Sequence, residues 1–278
     1  MSAAESTGYT LQRGESPLLV SVPHCGTALP EELKRRLVPE ALTLPDTDWH
    51  VHRLYDFAPA LDVTCLFAHY SRYLIDLNRD PSGASLYPGQ SVTELCPTTA
   101  FDGSELYQPG QAPEEAEQRT RRTQYFEPYH RALQAELARL KARHGFAILL
   151  DGHSIRAEVP RFFEGRLPSL NLGTADGSSC DAALQEVACE VLESCGMSWV
   201  ANGRFKGGYI TRRFGQPAHS VHALQLEMAQ AEYMLEAPPY AWDEARAEPL
   251  RGVLERLVRA LLAWRPAVRG AAEQGGSA

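Results

Sequence analysis

The sequence predicts an α/β fold with a mixed, largely parallel central sheet flanked by helices. Three observations carry that expectation. Short, mainly apolar runs at residues 17–23, 63–70 and 146–150 have the length and composition of strands buried on both faces. Longer stretches, residues 112–144, 180–195 and 246–264, space their apolar residues for helices with one buried face. Two of the apolar runs lead straight into polar clusters with a glycine, His24-Cys25-Gly26 and Asp151-Gly152-His153-Ser154. In open α/β sheets the ligand crevice lies beyond the carboxyl ends of the strands, so both clusters are expected there.

The chain has 278 residues, 44% hydrophobic and 22% charged, an ordinary globular composition. That length suits a single α/β domain over residues 1–265, followed by a Gly/Ala-rich, disordered tail at 266–278. A net charge of −8 speaks against non-specific nucleic-acid binding, which needs a basic surface. No apolar run approaches the ~20 residues needed to span a bilayer. The N-terminus lacks the basic and apolar regions of a signal peptide. Six cysteines without CxxC spacing are expected to be reduced thiols in a cytoplasmic protein. Oligomeric state is not legible.

In chain order, strand 17–23 ends at His24, with Gly26 allowing a sharp turn. Residues 30–37 begin with proline and two acids and continue into bases, the charge order of a short helix. Asp46-Thr47-Asp48 can cap a helix running to about Ala60. The same aspartates are candidate metal ligands, Asp48 ahead of Asp46. His50 and His52 are two apart and cannot share a helix face, so they are read as surface or supporting residues. Residues 71–80 alternate like a half-buried strand ending at Asn78-Arg79. Residues 81–112 are rich in Gly, Pro, Ser and Thr and read as a binding loop or lid. Residues 159–172 are irregular, a glycine at 196 stops helix 180–195, and 198–201 form a short strand. Residues 202–215 form a basic, glycine-rich, aromatic loop without a P-loop pattern, apt for a small anion or else a flexible hairpin. A final strand, 219–227, ends in Glu227, an acid whose burial calls for an explanation.

Strand-end histidines far apart in sequence converge only if their strands are neighbours. His24 and His153 are therefore expected to hold a divalent metal, zinc above others, since neutral imidazole is its commonest ligand. Asp48, or else Asp46, completes a set of two imidazoles and a carboxylate. Glu227 is the expected general base for a metal-activated water. Arg72 is the expected oxyanion stabiliser. Asn78 and Arg79 are expected to hold a substrate carboxylate.

These residues sit in a wider pattern: Val22-Pro23-His24-Cys25-Gly26, Asp46-Thr47-Asp48-Trp49, Ser71 to Arg79, Leu86-Tyr87-Pro88-Gly89-Gln90, Asp151-Gly152-His153-Ser154, and Phe205-Lys206-Gly207-Gly208-Tyr209-Ile210-Thr211. The pattern, spread over about residues 18–228, resembles the N-formylglutamate amidohydrolases. That family looks like a branch of the zinc-carboxypeptidase and aspartoacylase-like fold. In that fold an arginine before an Asn-Arg pair polarises the scissile carbonyl and the pair binds the substrate carboxylate, a spacing similar to Arg72 and Asn78-Arg79. The fold's usual His-x-x-Glu motif is missing, because Thr27 stands where its glutamate would be. The resemblance implies hydrolysis of N-formyl-L-glutamate, a dianion, to formate and L-glutamate in histidine breakdown. Arg79, Lys206, Arg212 and Arg213 then suit its two carboxylates, with Arg79 on the α-carboxylate and Arg212 on the side-chain one.

Three rival readings stand beside this one. The chain can act on another N-acyl amino acid or, like the carboxypeptidases, on a peptide. It can be a binding protein without turnover. It can use Cys25 as a nucleophile beside His24, although adjacent strand residues point to opposite faces.

Overall fold

The computed structural model describes residues 8–84 and 93–267. The expected tail at 266–278 and the Leu86–Gln90 motif lie mostly or wholly outside the described residues. Strands β1 (Tyr9–Gln12), β2 (Leu18–Val22), β3 (Thr64–Ala68), β4 (Ala147–Ile155), β5 (Leu170–Gly173), β6 (Trp199–Ala201) and β7 (Val221–Ala229) form one sheet. Their order is β1-β3-β2-β4-β7-β5-β6. The central strands β3, β2, β4 and β7 run parallel. β1 is antiparallel to β3 and β5 to β7, so the sheet is mixed and largely parallel, as expected.

Both faces of the central strands are covered, which is why their sequences read as almost unbroken apolar runs. Side chains alternate with a period of two. Val20, Val22, Leu150 and Leu226 join one core. Leu19, Leu149 and Ala223 join the other. Three short helices, α1 (Glu31–Lys34), α2 (Val51–Leu54) and α3 (Glu115–Arg121), and, after one wide π-helical turn at Arg122–Phe126, the long α4 (Glu127–His144), precede β4. Leu133, Leu137 and Leu140 of α4 pack on the second core, and Gly145 ends the helix at φ 81°. α5 (Ala182–Glu193), α6 (Tyr209–Phe214) and α7 (Glu244–Ala263) follow. α5 is capped by Asp181, which accepts from the Ala183 N–H, and α7 by Asp243, which accepts from Arg246 N–H. Both helices bury their apolar stripes in the first core.

Several local expectations need correction. The helix expected from Asp46 to about Ala60 shrinks to α2, because His50 enters the left-handed region at φ 62° and breaks the run. Neither Asp46 nor Asp48 caps it. Residues 71–80 form successive turns rather than a strand, and every residue from Ser71 to Asn78 is buried, so the sequence alternation marks no exposed face. Side chains take up backbone groups that a ladder would have used: Arg121 Nη1 donates to Leu74 O at 2.9 Å, and His130 Nε2 to Leu77 O at 2.8 Å. The loop expected at 202–215 contains α6. Gly26 matters for close approach rather than for a turn, since a Cβ there would lie 2.4 Å from the His69 carbonyl carbon.

His130 links α4 to that buried segment. Its ring stacks on Phe126 at 4.0 Å and faces Phe214 at 5.8 Å. Burial pushes its pKa down from 6.5 to about 4, with the Leu77 carbonyl and Asp151 opposing and Arg213 assisting. As pH falls below the unfolded value, the unfolded chain takes up this proton and the folded chain does not. This residue therefore costs about 2 kcal/mol of stability between pH ~7.5 and ~5, and the loss levels off below the folded pKa. Urea unfolding at the two pH values should show that loss reduced in His130→Phe. An unchanged pH dependence would exclude His130 as its source.

Candidate active site

Register builds the site. On one face of β4, Asp151 and His153 are two residues apart, and they pair across the ladder with Gln225 and Glu227 of β7. Ser21 of β2 lies opposite Asp151, and its Oγ donates to Asp151 Oδ1 at 2.9 Å. The polar residues expected beyond the strand end thus lie within the last turns of the pleat, held by ladder pairing on both sides. This face opens into a cavity of about 660 Å³. His24, Asp48, Arg72, Asn78, Arg79, His153 and Glu227 all line it.

The two imidazoles are oriented alike. His24 Nε2 lies 2.8 Å from Asp76 Oδ1, and His153 Nε2 lies 2.9 Å from Asp151 Oδ2. A carboxylate only accepts, so each Nε2 carries the proton and each Nδ1 points the other way. Both Nδ1 atoms face Asp48 Oδ2, at 3.7 Å for His24 and 3.0 Å for His153. Asp48 also accepts from Ser154 N at 3.1 Å and lies 3.5 Å from Arg72 Nη1. Arg72 Nη2 donates to Asp76 Oδ2 at 2.6 Å, and its guanidinium lies 4.6 Å from the centre of the Phe101 ring.

The electrostatics follow from burial against charge. Burial disfavours the charged forms of Asp48 and Asp76, yet the rings and guanidinium groups around them hold both below the usual carboxylate range: His153, His24 and Arg72 for Asp48, and Arg79, His24 and Arg72 for Asp76. Burial and then Arg72 push His24 down, keeping it a neutral imidazole. Burial acts on His153 in the same sense, but Asp151 and Asp48 outweigh it and favour positive charge there. Burial pushes the Glu227 carboxyl up to about 8. That carboxyl has no hydrogen-bond or ion-pair partner among the described residues.

His24, Asp48 and His153 present ligand atoms within 4.8 Å of one another. The unprotonated Nδ1 of His24 faces a carboxylate oxygen, lone pair toward lone pair, an arrangement that a cation between them makes favourable. The donor set and its outer carboxylates, Asp76 and Asp151, fit a divalent ion. Asp46 turns away, its Oδ2 accepting from Tyr73 Oη and Phe101 N at 2.8 Å each.

The other expected residues divide. Arg79 lines the cavity with Nε and Nη2 on Thr93. Asn78 also lines it, but its amide is engaged: Oδ1 accepts from Ile210 N at 2.7 Å and Nδ2 reaches Asp151 Oδ2 at 3.4 Å. A Cβ on Gly208 would sit 2.4 Å from that amide nitrogen, so only glycine lets α6 come this close. Lys206 and Arg212 do not line the cavity. Lys206 pairs with Asp176 at 3.0 Å, and Arg212 Nε donates to Gly207 O at 2.9 Å, because the turn into α6 directs both elsewhere. Arg204 of the same loop does line it. Cys25 is buried with its thiol pushed up to about 12, and its Sγ is spent on the Val22 and Ala68 carbonyls. This excludes the nucleophile reading. Sequence reasoning assigns no role to Asp76, Gln225 and Arg204, and it places Asp151 at the crevice without one. The period of two in Asp151-Gly152-His153 was the available signal for Asp151.

The profile of the family described as N-formylglutamate amidohydrolase matches residues 16–234. An N-formylglutamate deformylase of Pseudomonas aeruginosa is 51% identical over 92% of this chain and 96% of its own length. One from Pseudomonas putida is 47% identical over the same shares. Among solved structures, an N-formylglutamate amidohydrolase of Ralstonia eutropha has the same fold, with a TM-score of 0.78 at 24% identity over 92% of this chain and 98% of that one. With the matched segment spanning β2 to β7 and every residue of the His24–Asp48–His153 group, the chain belongs to the N-formylglutamate amidohydrolase family.

Proposed function

We infer that this chain hydrolyses N-formyl-L-glutamate to formate and L-glutamate, with a divalent metal, zinc, as its cofactor. The observation that carries the reading is the buried His24–Asp48–His153 group and, at the same cavity, a Glu227 without a partner among the described residues. The deformylase names of relatives at 51% and 47% identity supply the substrate. Two imidazoles and a carboxylate with room for a further ligand make a zinc hydrolase donor set. When bound, the ion would act as a Lewis acid toward the formyl oxygen and acidify water.

The chain's own groups account for the rest. Glu227 takes the proton from water as its oxygen adds to the formyl carbon. Glu227 then delivers that proton to the amide nitrogen as the C–N bond breaks, leaving formate and the free amine of L-glutamate. Arg72, kept charged by Asp76 and Asp48, stabilises the negative oxygen of the tetrahedral species. Arg79, steadied by Thr93, holds the α-carboxylate. Asp76 and Asp151 fix the two ring tautomers.

Metal content and formate release measured on one sample should give about one metal per chain, with activity lost on chelation and restored by zinc. Bound metal without formate release would point instead to another acyl group. Glu227→Gln should lower kcat by roughly 10²- to 10⁴-fold with KM and metal content held, and unchanged turnover would remove it from the reaction. Arg79→Ala should raise KM roughly 10-fold or more, and an effect no greater than that of a remote surface change would remove it from substrate binding.

A further inference from the structure

Arg204 is the cation of the basic loop that reaches the cavity. Its Nε donates to Phe162 O at 2.7 Å. Its guanidinium lies 5.9 Å from the centre of the Phe162 ring and 5.4 Å from that of Phe205. Both rings also line the cavity. A planar cation held by two aromatic rings and a backbone acceptor loses little freedom on meeting an anion.

The wall between Arg204 and the reaction centre is apolar and continuous. Arg72 lies over Phe101, and Phe101 meets Phe162 edge to face at 5.1 Å. Two rings therefore separate the guanidinium beside the metal group from the one at the far end. Arg72 and Arg204 line the same cavity, so a substrate whose formyl group lies near Arg72 would turn its methylenes to this wall and its terminal carboxylate toward Arg204. Methylenes favour an aromatic surface, and a carboxylate favours a fixed guanidinium fork.

We propose that Arg204, clamped between Phe162 and Phe205, binds the side-chain carboxylate of the N-acyl amino acid and sets the preference for an acidic side chain. The assignment rests on the amidohydrolase reading above and gives this role to Arg204 in place of Arg212 and Lys206. No proton or bond changes at Arg204, so its effect is on selection among substrates.

The test compares N-formyl-L-glutamate with N-formyl-L-glutamine, an uncharged analogue of nearly the same shape. Wild type should favour the glutamate by roughly 10- to 100-fold in kcat/KM. Arg204→Gln should remove that preference, with glutamine turnover preserved as the internal proof of folding. Arg204→Lys should restore part of it. A preference that survives in Arg204→Gln overturns the assignment, and so does an equal fall on both substrates, which would mark a structural role. If wild type releases formate from neither compound, the deformylase reading fails. Binding of glutarate then decides the subsite: weakening of about 10-fold or more in Arg204→Gln upholds it, and unchanged binding overturns it.

Discussion

A carboxylate taken out of water must be compensated by hydrogen bonds and positive charge, or it takes up a proton. Asp48 is 1% exposed and is held charged. Its compensation comes from the Ser154 N–H on β4, the His153 ring, and Arg72. Arg72 in turn is buried and needs Asp76, which also orients His24. The arrangement therefore closes on itself. Removing one member leaves an uncompensated charge rather than one contact fewer, which costs several kcal/mol in buried pairs. The network also explains why Asp48 leaves the helix start that its sequence suggests. Its oxygens are taken by the site, and α2 begins without a side-chain cap.

The same demand shapes the 71–80 segment. Arg72 and Asp76 must face each other, and Asn78 must reach both Asp151 and α6. An extended strand would put Arg72, Asp76 and Asn78 on one face with no way to aim them at three different elements. Successive turns do so, and the backbone groups left over are taken up by Arg121, His130 and Leu95. The basic loop obeys a related limit. Gly208 brings α6 against Asn78, and the turn into α6 leaves Lys206 and Arg212 away from the cavity while Arg204 stays on its wall.

The sheet, its parallel core and the histidine pair were legible in the sequence because each rests on a local pattern. Apolar runs of strand length mark β2, β3 and β4, and His24 and His153 sit where those runs turn polar. Glu227 was legible as an acid with no local reason to be buried. The turns at 71–80 were not legible, because alternation of apolar and polar residues has the same appearance in a strand and in a segment buried on all sides. Which cation of the 202–215 loop meets the cavity was not legible either: Lys206 and Arg212 were expected there, and Arg204 lines it. A loop's cations are chemically alike, and only the turn into α6 decides which of them meets the cavity.

Among the described residues, Glu227 is the one buried carboxyl at this centre that makes no hydrogen bond or ion pair. Asp48, Asp76 and Asp151 each accept hydrogen bonds, and Asp46 is satisfied away from the cavity through Oδ2. Glu227 is fixed by nine-residue strands, opposite His153, with its carboxyl unpartnered among the described residues and its affinity for a proton raised. A fold selected for stability alone would pair or replace such a group, since an unpaired buried acid contributes nothing to folding. Its ladder pairing with His153 fixes its place beside the His24–Asp48–His153 group. In the proposed mechanism the pleat holds this acid in place, and its raised proton affinity suits the proton that it takes from water and passes to the leaving nitrogen.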